Sequence, residues 1–234
     1  MRIRLVRRRE LPVPTLAGWL VVAALALTAG FGVARALYPF LAPTDPVGGG
    51  LLVVEGWAGT PVFDEAAARY ATGAYERVVT TGGAIGPDSL ITGAQSWADA
   101  ARLALEKRGI DAGVIEAVPS PPSAQNRTFL SAVMLRDQLA ARRETPPRMD
   151  VVTLGPHARR TRRLYRIAFG DATEIGVISA PSRQYNADHW WRTSEGTRTV
   201  IIEAIGLAWN YCCFDPGEPG SQFEKWAGPP WPGD

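Results

Sequence analysis

The feature that most constrains this chain is a repeated alternation of short apolar, β-branched runs with longer helical patterns. Runs at 51–54, 77–81, 113–118, 150–154 and 174–179 are followed in turn by helical stretches at 62–72, 93–108, 127–143, 157–168 and 195–211. Strands separated by helices of this length cannot pair as hairpins and need crossovers, which gives a mainly parallel sheet covered on both faces. The expected fold is a three-layer Rossmann-like α/β domain with a sheet of about five strands.

A second segment sits outside that pattern. Residues 11–34 carry no charge, and the five arginines Arg2, Arg4, Arg7, Arg8 and Arg9 precede them. Such a length of apolar helix can cross about 30 Å of hydrocarbon, and an arginine-rich flank belongs in the cytoplasm. The expectation is a single-pass protein partnered with the lipid bilayer, its later domain facing outward. A cleaved signal peptide is weakened by Arg35 inside Ala34-Arg35-Ala36. A buried soluble helix is disfavoured by the arginines.

The division along the chain follows. Residues 1–14 form a basic terminus, 15–38 a transmembrane helix, 39–50 a Pro/Gly-rich linker, 51–213 the α/β domain and 214–234 an irregular Gly/Pro/Trp tail. The whole chain has 25 basic and 23 acidic residues, but the first ten residues hold five of the former and only Glu10 of the latter. The remainder therefore has 20 basic against 22 acidic groups, and a near-neutral body argues against a nucleic-acid partner. With two histidines and no Cys-x-x-Cys, a histidine- or thiol-based zinc site is not expected. Cys212 and Cys213 are adjacent and read as buried thiols near the end of the last helix.

A parallel sheet gathers its strand C-termini at one edge, so the residues after each strand are candidates for one site. The strongest is the corner after 150–154, where Gly155-Pro156-His157 leads into an arginine-rich helix. A helix wheel puts Arg159, Arg162, Arg163 and Arg166 toward solvent and turns His157 and Arg160 to the crevice, where they suit an anion. Glu55, directly after the first strand, is placed as a general base or hydroxyl anchor, with an internal ion pair as the alternative. Thr81, Gly82 and Gly83 form a turn able to approach a phosphate closely. Asn126 reads as an N-cap, with Arg127 and Thr128 beside it. In the aromatic stretch before the last helix, Trp191 is a candidate cleft wall, and packing over the sheet edge is the alternative. Glu203 shares a stripe with Thr199, Gly206 and Asn210 and reads as surface. No nucleophile elbow, dinucleotide loop or phosphate loop is present, and the residues single out no cofactor.

Taken together, Glu55-Gly56 after an apolar strand, Val78-Val79-Thr80-Thr81-Gly82-Gly83, Asn126-Arg127-Thr128, and Val152-Thr153 followed by His157-x-x-Arg160 resemble the YdcF/SanA/ElyC-like family of bacterial envelope-associated domains. The resemblance covers most of the region after the linker. Gly93-Ala94-Gln95-Ser96-Trp97 stands where many members have a Ser-Glu-Ala step, and Arg127 splits the usual Asn-Thr pair. The resemblance implies a Rossmann-like fold behind a membrane helix. It also implies a role in envelope integrity or precursor metabolism and, for one branch, nucleotide or S-adenosylmethionine binding.

The leading expectation is that the domain binds an anionic or phosphorylated envelope intermediate, with hydrolase or transferase chemistry open. Glu55 and His157 are then the catalytic candidates. Thr81, Gly82, Gly83, Asn126, Arg127, Arg160 and Trp191 are the ligand-binding ones. The rival is a non-catalytic assembly or regulatory module in which Trp190, Trp191, Trp226 and Trp231 meet a partner. An open pocket at the corner favours the first, and a closed ion-pair cluster favours the second.

Overall fold

The computed structural model describes residues 12–86, 93–123, 125–221 and 223–225. Arg2 to Arg9, and Trp226 and Trp231 of the tail, lie outside the described residues. The chain divides into two units, 1–36 and 37–234. The first holds most of helix α1 (Leu16–Leu41), long and apolar enough to cross a membrane. Over 16–36 its side chains are mostly exposed, Leu16 by 79% and Leu27 by 75%.

The second unit is an α/β domain. Its strands are β1 (Leu51–Glu55), β2 (Arg77–Gly83), β3 (Ile115–Ser120), β4 (Arg148–Leu154) and β5 (Glu174–Ala180), and its helices are α2 (Thr60–Tyr70), α3 (Trp97–Glu106), α4 (Arg127–Ala141), α5 (Ala158–Phe169) and α6 (Ser194–Cys212). All strand pairs are parallel, in the order β3-β2-β1-β4-β5. Alternate side chains of each strand go to opposite layers. Leu51, Val53, Val79 and Val151 pack under Phe129 and Val133 of α4 and Leu164 and Tyr165 of α5. Leu52, Val54, Val78 and Val152 pack under Val62 and Phe63 of α2 and Ala101 and Leu105 of α3. Full burial of each such side chain contributes roughly 1.5–3 kcal/mol, and this drives the layering.

In this order the chain winds one way from β1 to β3, then crosses back to place β4 on the other side of β1. The switch point lies between the C-terminal ends of β1 and β4, where open sheets leave a crevice.

Several local expectations are corrected. Helix α1 runs to Leu41, three residues past 38, and the linker segment is hydrogen-bonded to the domain. Asp45 and Val177 exchange backbone bonds of 2.8 and 3.1 Å. The buried Asp150 carboxylate takes the Val47 and Gly48 N–H groups at 2.8 and 2.9 Å and the Tyr75 hydroxyl at 2.9 Å. The tail is irregular but also anchored, since Glu224, 2% exposed, receives two bonds from Arg136 of α4 at 2.5 and 2.8 Å. Cys212 and Cys213 are exposed and joined in a disulfide, because Cys213 has left the helix (φ −139°) while Cys212 ends it.

Candidate functional site at the switch point

The site begins with two strand ends. Strand β1 stops at Glu55, 1% exposed, and β4 delivers Thr153 beside it before a single turn, Gly155–His157, opens α5. Thr153 donates a short hydrogen bond to Glu55 Oε2, and Thr161, one turn into α5, donates another at 3.2 Å. A carboxylate removed from water is tolerated where such donors replace its hydration.

His157 follows from the same turn and is 5% exposed. Its Nε2 lies 3.2 Å from Thr128 Oγ1, near the start of α4, and 3.7 Å from Glu55 Oε2. Its Nδ1 lies 2.9 Å from Glu203 Oε1 on α6. Arg160 then grips the same carboxylate with both arms of its fork, Nε to Oε2 at 2.8 Å and Nη2 to Oε1 at 3.0 Å. Burial pushes the Glu203 carboxyl up, but the His157 imidazole and the Arg160 guanidinium outweigh that and hold it well below the usual carboxylate range. Trp57, after β1, stands edge-on to the imidazole at 5.0 Å and is 43% exposed, so it forms the outer border of the cluster. Beneath lies Tyr165, whose hydroxyl is 3.3 Å from Thr81 Oγ1. Burial, and then the nearby Glu55 charge, push its phenol well above the ordinary range, so it stays a neutral hydroxyl.

Of the candidates, Glu55, His157 and Arg160 come together as the helix wheel requires, and the rest disperse. Gly82 and Gly83 are not a turn. They continue β2 and pair with Pro119 and Ser120 of β3. The smallness of Gly82 and of Gly56 serves packing, because a Cβ on Gly82 would lie 2.6 Å from Trp97 Cβ and one on Gly56 would lie 2.1 Å from Trp97 O. Both make room for the start of α3. Thr81 is buried against Tyr165. Asn126 does precede α4, but in the left-handed region (φ 46°) with no side-chain cap bond. Arg127 is exposed. Trp191 packs on its neighbours Trp190 and His189, at 5.7 Å each, in the turn Ala187–Arg192.

Glu203 is the residue the sequence reading misplaced. In the stripe of Thr199, Glu203, Gly206 and Asn210, Thr199 and Gly206 are half-buried and Glu203 (9%) and Asn210 (3%) are buried. Gly206 explains the approach, since a Cβ there would sit 3.3 Å from Arg160 Nε. A glycine in mid-helix costs about 1 kcal/mol against alanine and thus flags a close neighbour, which was the available signal.

The four outer arginines of α5 are also more engaged than a solvated face would be. Arg159 lies over the Phe40 ring at 4.1 Å, Arg162 pairs with Asp45 at 2.6 Å, Arg163 lies over the Tyr211 ring at 3.9 Å and Arg166 donates to the Ile175 carbonyl at 3.2 Å. Among the described residues, no group of three His, Cys, Asp or Glu side chains is placed to hold a metal ion.

Comparisons with protein-family profiles, with curated proteins and with solved structures gave no match.

Proposed function

We propose that this protein is a membrane-anchored α/β domain of the YdcF/SanA/ElyC type that binds an anionic or phosphorylated cell-envelope intermediate at the switch point and transfers protons on it as a hydrolase or transferase. One observation carries the reading: His157 has Nδ1 2.9 Å from Glu203 Oε1, with Arg160 Nη2 also 3.0 Å away, and Nε2 turned to Thr128 and Glu55. In the tautomer whose Nδ1 donates to Glu203, Nε2 is left as the base. Nε2 would then take a proton from a hydroxyl or water, with Thr128 as the nearest protein hydroxyl. Arg160, neutralised by Glu203, acts as a positioning residue instead of the anion holder expected from the wheel. The N–H groups at the start of α4, where Thr128 meets His157, would supply the attraction for an anion.

The orientation belongs to the same proposal, with the N-terminal arginines in the cytoplasm and the domain outside. A phosphatase fused to the C-terminus reads it, and an inactive fusion sinks it. For the chemistry, full-length protein in detergent is offered phosphomonoesters, phosphodiesters and pyrophosphates. His157→Gln should lower any turnover by about 10²-fold or more. A turnover unchanged in His157→Gln sinks the assignment.

The 5% exposure of His157 and the two-armed pairing of Arg160 with Glu203 make this corner a closed ion-pair cluster, the arrangement expected of the second reading, a non-catalytic assembly module whose cluster is structural. The chain holds only His157 and the exposed His189, so diethyl pyrocarbonate separates the readings. Modification of both supports a working base, and modification of His189 alone supports the module.

A further inference from the structure

Helix α6 is apolar on its outer side as well. Its inner side carries Glu203 and Asn210 beside Val200 and Leu207, while Ile201, Ile202, Ile205 and Trp209 are exposed by 41, 53, 64 and 42%. Soluble monomers rarely show water a contiguous apolar face of this kind. Beside it, Arg159, Arg162, Arg163 and Arg166 of α5 line a cavity of about 270 Å³ with Ile167 and, from α6, Tyr211. Among the described residues, the only carboxylate paired with these four is that of Asp45, on Arg162. The cavity is therefore strongly cationic. Phe40, near the end of α1, lies under Arg159 and is itself 51% exposed.

We propose that this face docks on an anionic lipid bilayer. The arginine cavity takes lipid phosphate headgroups, and the apolar face of α6 rests in the interfacial layer. The proposal rests on α1 being a membrane span. Given that span, the surface nearest to Phe40 is a bilayer, and cationic groups beside exposed isoleucines and a tryptophan match its headgroups and its acyl boundary. A free phosphate would satisfy the arginines but leave Ile202 and Ile205 in water. The bilayer satisfies both.

The test uses the full chain in nanodiscs. A fluorophore is attached at Ile205→Cys without reductant, so that the Cys212–Cys213 disulfide stays closed. A control fluorophore is placed at Ala71→Cys, on the opposite layer. Lipids brominated near the headgroup should quench the first severalfold more than the second, and more strongly when anionic lipid replaces zwitterionic. Anionic lipid kept through detergent extraction should fall about fivefold for each charge removed in Arg159→Gln, Arg163→Gln and Arg166→Gln, and persist in the three lysine variants. Equal quenching at the two sites overturns the docking. So does lipid retention unchanged by the glutamines, or lost equally in the lysine variants. Alkaline carbonate extraction reads the span separately: release of the chain sinks α1 as an anchor, whereas a retained chain with an unquenched probe sinks the docking alone.

Discussion

Glu203 bonds His157 Nδ1 at 2.9 Å and closes on Arg160 with the same carboxylate, so a residue of the last helix organises the head of α5. Glu203→Ala leaves a guanidinium and an imidazole without their counterion. Breaking a buried pair on one side costs about 3–5 kcal/mol, and the partial exposure of Arg160 (23%) puts this one at about 3 kcal/mol or below. Urea unfolding measures it, and a loss under about 0.5 kcal/mol, the range of ordinary surface substitutions, would contradict the pairing.

The same carboxylate sets a pH dependence. A group whose folded pKa is depressed contributes stability above its ordinary value, here 4.5, and that contribution is lost as pH falls through the folded value. Wild-type stability should therefore decline below 4.5 more steeply than that of Glu203→Gln. Thermal unfolding across that range checks the sign. A steeper decline in the variant would contradict the assigned shift.

Gly56 and Gly82 are expected to resist any side chain. Alanine at Gly56 would place Cβ 2.1 Å from a backbone oxygen of Trp97, and α3 would have to move. Gly56→Ala and Gly82→Ala should each cost about 1–3 kcal/mol through overpacking. Gly73→Ala, where nothing lies within 4 Å, should cost only what its positive φ of 75° imposes. The three melting temperatures are compared directly.

Asp150 ties 47–48 to the domain. Asp150→Ala strands two N–H groups and the Tyr75 hydroxyl, and should cost about 3 kcal/mol, against about 1 kcal/mol for Tyr75→Phe. Limited proteolysis should cut 42–50 earlier in Asp150→Ala than in wild type. Unchanged cleavage would show that the segment is held by other bonds.

The layering was legible because period-2 strands and longer helical runs leave direct traces in the order of residues. Glu55 and His157 were legible because topology alone puts strand ends at one edge. Glu203 was not, since polarity on a helix does not say which side faces in when apolar residues occupy both sides, as they do in α6. The bonding of Asp45 and Val47 was hidden for a different reason. Their partners, Val177 and Asp150, lie on β5 and β4, and composition carries no record of such distant pairing.

The sheet order also bears on how the molecule assembles. Glu55 emerges early in synthesis, yet the hydroxyls that replace its water lie 98 and 106 residues downstream. Until β4 docks, the end of β1 must stay hydrated, so β1 to β3 cannot finish as an independent half. Loop closure over such separations precedes any reward, which slows folding and makes it cooperative. A chain stopped before Thr153 would carry an acid without these donors at the centre of its sheet, and the cluster that marks the site thus also works as a checkpoint on completion of the fold.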